Sequence, residues 1–310
     1  MSIATQPLAL PRSPFTLVRD YAELTKLRVT TLVVMTAWCG YYFGAIRAGV
    51  SSLSWGLFHT LLGIGLVAGG TAALNEVMES DVDRHMRRTA GRPLPTGRMS
   101  TRRALVSGVA MALGGALYLS LALNPLTGLL SVATAVVYLG AYTPLKKIHP
   151  ICTFVGAFPG AMPGVLGWTA ARGRLEWGAL AMFAIVFFWQ FPHFFSIAWL
   201  YREDYAAGKI RMLPVVEVDG RSTARQIICY TVALIPVTLV PTFLGMAGTF
   251  YAACAVFLGL AMLYFGVRLA HLKAPITAAI SKQRARQLLQ ATVFYLPILF
   301  LAMMLNSISS

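Results

Sequence analysis

About nine stretches of roughly twenty apolar residues constrain this chain more than anything else in it. They fall at 28–47, 56–79, 103–122, 126–144, 151–170, 178–200, 226–246, 249–270 and 288–306. A helix of that length matches the hydrocarbon core of a bilayer, about 30 Å thick. Lipid offers no water to the peptide groups, so a stretch of this kind must bond its own backbone, as a helix does. Only 12% of the 310 residues are charged, against about 25% in a soluble domain. The expectation is an all-α, polytopic membrane protein, with about nine transmembrane helices around a central cavity and two cap loops. A leader at 1–27 precedes a single transmembrane domain at 28–306, and the cap loops fall at approximately 80–102 and 201–225. The turns NPLTG and GMAGT are short enough to make antiparallel hairpins of their flanking spans.

Charge orients the set. The chain carries 26 Lys and Arg against 11 Asp and Glu, a net charge of +15. In a soluble protein that excess suggests nucleic acid; between apolar spans it reads as cytoplasmic loop charge, and no nucleic-acid partner is expected. With the N-terminus in the cytoplasm, only Arg47, Arg172 and Arg174 fall on the opposite side. This predicts a cytoplasmic N-terminus and a periplasmic C-terminus. The opening MSIATQPLALPRSPF has neither the apolar core of a signal peptide nor the character of a transit peptide, which points to a bacterial inner membrane. Cys39, Cys152, Cys229 and Cys254 form no CxxC pair and read as small apolar residues.

The densest charge lies in Asn75–Arg98, NEVMESDVDRHMRRTAGRPLPTGR. Asn75, Glu79 and Asp83 recur every four residues and climb one helix edge, drifting about 40° per step. Two carboxylates and an amide make a row of hard oxygen ligands suited to Mg²⁺. Asp81 falls off that row and is expected to face the loop. Arg84, Arg87, Arg88, Arg92 and Arg98 follow at once, and acids beside arginines suit a metal-bridged polyphosphate. Arg92 stands out because GRPLP fixes its backbone.

Further along, YTPLKK places Tyr142, Thr143, Lys146 and Lys147 at the end of the fourth span, where Lys146 can reach the same phosphates. The fifth span carries Gly156, Pro159, Gly160, Pro163, Gly164 and Gly167, small residues for close packing and prolines that imply a kinked cavity wall. Trp189, Gln190 and His193 sit within an aromatic run near the end of the sixth span, and Arg202 and Asp204 could form a second charged edge facing the first.

These motifs resemble the membrane prenyltransferase superfamily typified by 4-hydroxybenzoate polyprenyltransferase, and within it the heme O synthase branch. Asn75, Glu79 and Asp83 match the Asn-x3-Asp-x3-Asp hallmark, with Glu in place of the middle Asp. RPLPTG (92–97), YTPLK (142–146), AFPGAMPGVLGW (157–168), WQFPHF (189–194) and DYAAGKIRMLP (204–214), through Asp204, Tyr205, Gly208 and Met212–Pro214, match the heme branch. YREDYAAG stands where the superfamily has a second Asp-x3-Asp, leaving Asp204 as the better acid.

The resemblance implies Mg²⁺-dependent transfer of a farnesyl group from farnesyl diphosphate to a vinyl group of heme B. It implies Asn75, Glu79, Asp83 and Asp204 on the metal, and Arg92, Lys146, Arg202 and Arg88 on the diphosphate. His193, Trp189 and Gln190 would meet the heme, with product handed to a heme A synthase or terminal oxidase. The alternatives are a related prenyltransferase acting on a quinone precursor or chlorophyll-like ring, a transporter, and a non-catalytic heme-binding assembly protein. A transporter would carry its acids mid-span, and an assembly protein would need the histidine but not the Asn75–Asp83 edge.

Overall fold

The computed structural model describes residues 14–272 and 274–308. The first thirteen residues of the expected leader, Arg12 among them, and Lys273 lie outside the described residues. A short helix, α1 (Pro14–Leu24), precedes the long helices α2 (Leu27–Arg47), α3 (Trp55–Asp83) and α4 (Thr101–Ala122). Then come α5 (Pro125–Val136), a π-helical turn at Val137–Tyr142 and the short α6 (Thr143–Leu145), followed by α7 (Cys152–Arg172) and α8 (Trp177–Leu200). Two short helices, α9 (Arg202–Ala207) and α10 (Leu213–Val216), lead into α11 (Arg221–Phe243), α12 (Thr249–Ala270) and α13 (Ala279–Leu305).

Among the described residues, eight segments are long and apolar enough to cross a membrane: α2, α3, α4, Pro125–Leu145, α8, α11, α12 and α13. The count of about nine therefore does not emerge from apolarity. The difference is α7, which has 21 residues but is rich in Gly, Ala, Pro and Thr, with 14 of the 21 buried. A helix shielded by neighbours needs no greasy surface of its own. It packs on α2 through glycines: a Cβ added at Gly40 would overlap the Gly164 carbonyl, and one at Gly167 the Ala37 carbonyl. Pro159 and Pro163 lie within α7 without interrupting it.

Hydrogen bonds define the two ends of the bundle. At one end Arg172 Nη1 donates to the Arg47 carbonyl at 3.1 Å, Arg47 donates to the Leu244 carbonyl, and the Gly248 N–H donates to the Asn306 carbonyl at 3.0 Å. The ends of α2, α7, α11 and α13 therefore meet there. At the opposite, cap end Lys26, at the start of α2, reaches Asn75 near the end of α3. Local signals stop and start these helices as their chemistry dictates. Ser100 caps α4 by accepting the Arg103 N–H at 3.3 Å, and Asn124 caps α5 by accepting the Thr127 N–H at 3.0 Å. Gly173, with φ of 68°, closes α7 in the left-handed region.

Candidate active site

The Asn75 edge lies inside the cap end. Asn75, Glu79 and Asp83 are all buried on α3. Uncompensated carboxylates there would be costly; each residue of the row instead meets a cation. Lys26 Nζ donates to Asn75 Oδ1 at 2.6 Å, Lys146 Nζ to Glu79 Oε1 at 2.9 Å, and Arg92 Nη1 to Asp83 Oδ2 at 2.6 Å. The three cations come from three different parts of the chain: the α1–α2 junction, the end of α6, and the loop after α3.

Local structure explains how they arrive. Lys26 adopts φ 49° and ψ 50°, a left-handed conformation uncommon for a side-chain-bearing residue, and this turns the chain from α1 into α2. The π-helical turn rotates the end of the fourth span so that Thr143 Oγ1 accepts from Asn75 Nδ2 at 3.0 Å while donating to the Tyr138 carbonyl at 2.9 Å. Lys146 Nζ lies 4.6 Å from the centre of the Tyr142 ring. The loop after α3 is held from outside by Arg98, which pairs with Asp20 and Glu23 on α1.

The two lysines respond differently to burial. Lys26, bonded to a neutral amide, is pushed down to about 7 by desolvation, reinforced by the nearby Arg92 and Lys146 charges. Lys146 suffers the same desolvation, but Tyr142, Tyr138 and the Glu79 carboxylate outweigh it and hold its value above that of an ordinary lysine. The cation bound to the carboxylate keeps its proton; the one bound to the amide gives it up more readily.

The other expected site residues are placed as follows. Asp204 lies half-buried on α9 and makes no side-chain hydrogen bond or ion pair among the described residues. Nor do three His, Cys, Asp or Glu side chains come together there in a group that could hold a metal. Arg202 turns to the backbone, donating to the Pro214 and Glu217 carbonyls at 2.7 and 3.0 Å, so it braces the second cap loop. Arg88 is exposed and lies 5.7 Å from the rings of both Tyr201 and Tyr205, bridging the two cap loops. Asp81 is exposed, with Arg84 beside it at 3.8 Å.

The three residues expected at a heme are split between two seams. His193 Nδ1 pairs with Thr292 Oγ1 at 2.9 Å and its ring stacks on Trp189, whose Nε1 donates to the Thr292 carbonyl at 2.8 Å. Both therefore face α13. Gln190 faces α7, donating to the Ala157 carbonyl at 3.0 Å.

Two site residues carried no usable signal in the sequence. Lys26 reads there as one more loop cation. Glu76 falls off the i, i+4 row, yet it is fully buried, with one oxygen accepting the Leu94 N–H at 3.4 Å and the other without a partner among the described residues.

A model of the UbiA prenyltransferase family matches residues 33–289. The chain belongs to the UbiA prenyltransferase family. It is an enzyme that transfers prenyl groups. A protoheme IX farnesyltransferase of Koribacter versatilis is 60% identical over 307 residues, covering 99% of each chain. Among solved structures, a digeranylgeranylglyceryl phosphate synthase superposes with a TM-score of 0.75 at 16% identity, covering 93% of this chain and 98% of that one. A UbiA homolog from Archaeoglobus fulgidus bound to GPP and Mg²⁺ superposes with a TM-score of 0.65 at 15% identity, covering 92% and 99%. These structures share the fold with this chain.

Proposed function

We propose that this prenyltransferase moves a farnesyl group from farnesyl diphosphate to a vinyl group of heme B, giving heme O. The name of the Koribacter relative supports the substrate pair. The observation that carries the reading is the cation-matched oxygen edge of Asn75, Glu79 and Asp83 at the cap end. Mg²⁺ is usually held by one or two carboxylates together with substrate phosphates rather than by an all-protein cage. Glu79 and Asp83, with the Asn75 amide oxygen, fit that pattern without a third carboxylate, and Asp204 on the facing loop is the remaining candidate ligand.

When bound, Mg²⁺ would neutralise charge on the departing diphosphate. The chain's own residues do the rest. Arg92 and Lys146 grip phosphate oxygens, as a guanidinium fork and a point charge. The buried surroundings keep water from the allylic carbon as its bond to oxygen breaks. The farnesyl carbon then bonds to the vinyl carbon, and water adds to the resulting cation, leaving a hydroxyl and giving its proton to the departed diphosphate or solvent. His193 is the residue we place nearest the heme.

The excess of Lys and Arg at the cap end supports a cytoplasmic N-terminus and a periplasmic C-terminus in a bacterial inner membrane, with product passed to a heme A synthase or terminal oxidase. The test is purified protein with heme B and farnesyl diphosphate, with and without Mg²⁺. A heavier, more hydrophobic heme by mass spectrometry is expected only with Mg²⁺; unchanged heme in both would overturn the reading.

A further inference from the structure

A cavity of about 550 Å³ opens beside α7, on the side of that helix away from the acid edge. Cys152 and Gly156, one turn apart, face the interior: Cys152 lies against Met212, and Gly156 leaves no room for a Cβ against the Tyr142 ring. Phe154 points the other way and is 41% exposed. Buried Phe191 and Phe195 on α8 floor the cavity; Phe154 on α7 and Tyr230 on α11 wall it. Phe191 and Tyr230 stack with centroids 3.6 Å apart. Below Phe154 the aromatic surface continues toward mid-membrane, Phe154 to Phe158 at 5.5 Å and Phe158 to Phe187 at 5.1 Å.

The cap end of the same cavity is polar. His149 and Gln226 line it. His149 Nδ1 accepts the Ile151 N–H at 3.1 Å, so the proton sits on Nε2, which is left to donate. Exposed Lys147 shares the turn with His149, and exposed Arg225 adjoins Gln226.

We propose that this groove binds an anionic phospholipid. Its phosphate sits at Lys147, His149 and Gln226, and an acyl chain lies along Phe154, Phe158 and Phe187. An apolar, laterally open groove with cations at headgroup level matches the chemistry of an anionic lipid, and basic pockets between membrane helices bind such heads. A planar acceptor substrate fits less well, because α7 stands between this groove and the Glu79–Lys146 pair. The bound lipid would steady the turn that begins at Lys146, whose carbonyl accepts the Arg211 N–H at 2.7 Å.

The experiment is native mass spectrometry of the detergent-solubilised full chain with phosphatidylglycerol or phosphatidylcholine of identical acyl chains. Wild type is expected to retain one phosphatidylglycerol with a preference of roughly fivefold per cation engaged. The Lys147→Gln, His149→Gln double variant, altered only at exposed positions, should lose that preference with its melting temperature in lipid-free detergent unchanged. Phe154→Ala should weaken retention of both lipids. Equal retention of the two lipids by wild type, or a preference surviving in the double variant, would overturn the proposal. So would displacement of phosphatidylglycerol by equimolar heme B or farnesyl diphosphate, which would give the groove to a substrate.

Discussion

Arg92 and Asp83 lie nine positions apart and are joined by a 2.6 Å hydrogen bond, with 2% of the Asp83 side chain exposed. The loop between them folds back on itself, and the Thr89 hydroxyl donates to the Asp83 carbonyl at 3.0 Å. One guanidinium thus holds the last acid of the α3 edge, where we place the diphosphate. Arg92→Ala would leave Asp83 buried and unpaired, which costs about 2–5 kcal/mol in comparable pairs. Lower thermal stability is expected, together with at least tenfold weaker inhibition by pyrophosphate. Arg92→Lys should recover stability more than inhibition, because a point charge replaces a fork. Melting curves and pyrophosphate inhibition constants measure the two effects separately.

Glu79 and Lys146 are close enough to be coupled energetically. A double-mutant cycle with Glu79→Gln and Lys146→Met should give an interaction energy of about 1–3 kcal/mol in thermal unfolding. Glu79→Asp restores the residue usual in the superfamily but shortens the reach to Lys146 by about 1 Å. It should retain more transferase activity than Glu79→Gln while losing part of the coupling. Additive single mutants would separate the two residues.

The far end offers a pH test. The Arg172 hydrogen bond, aided by Trp168 and Arg174, holds the Glu176 carboxyl down at about 2 despite some burial. A carboxyl lowered on folding adds stability above its unfolded value of about 4.3, and that contribution fades as pH falls toward the folded value. The melting temperature of Glu176→Gln should therefore lie below wild type at pH 7, and the gap should narrow between pH 4 and 2. A gap that stays constant with pH would remove the ionised Glu176 from the account.

Close packing of α2 on α7 predicts steric sensitivity. A Cβ at Gly167 would overlap the Ala37 carbonyl, and backbone cannot rotate aside as a side chain can. Gly167→Ala should cost about 1–3 kcal/mol, seen as a lower melting temperature. Gly114→Ala, at a position with nothing nearby, serves as the tolerant control.

Much of this arrangement was legible in the sequence, for reasons that differ by residue. Asn75, Glu79 and Asp83 share an edge because the four-residue repeat matches the helical period, which needs no tertiary information. The apolar runs located helices because lipid leaves the backbone no alternative. Lys26 was not legible as a site residue: its contact with Asn75 spans 49 positions, and a cation before an apolar span looks like ordinary loop charge. Glu76 is not legible because a residue next to Asn75 is turned off the row, yet burial of the α3 end encloses it too. The π-helical turn at Val137–Tyr142 has no composition that announces it, although it brings Thr143 to Asn75. The partners of Arg202 were not legible either, since its guanidinium donates to the Pro214 and Glu217 carbonyls, 12 and 15 positions on.

The most direct measurement is the rate of farnesyl transfer to heme B by Asp83→Asn, a change that keeps shape and removes charge. Product formed by purified protein with farnesyl diphosphate and Mg²⁺ should fall roughly 10²–10³-fold, a loss typical of removing one electrostatic stabiliser, while the heme itself still binds. Transfer at the wild-type rate would contradict a role for the α3 edge in releasing the diphosphate.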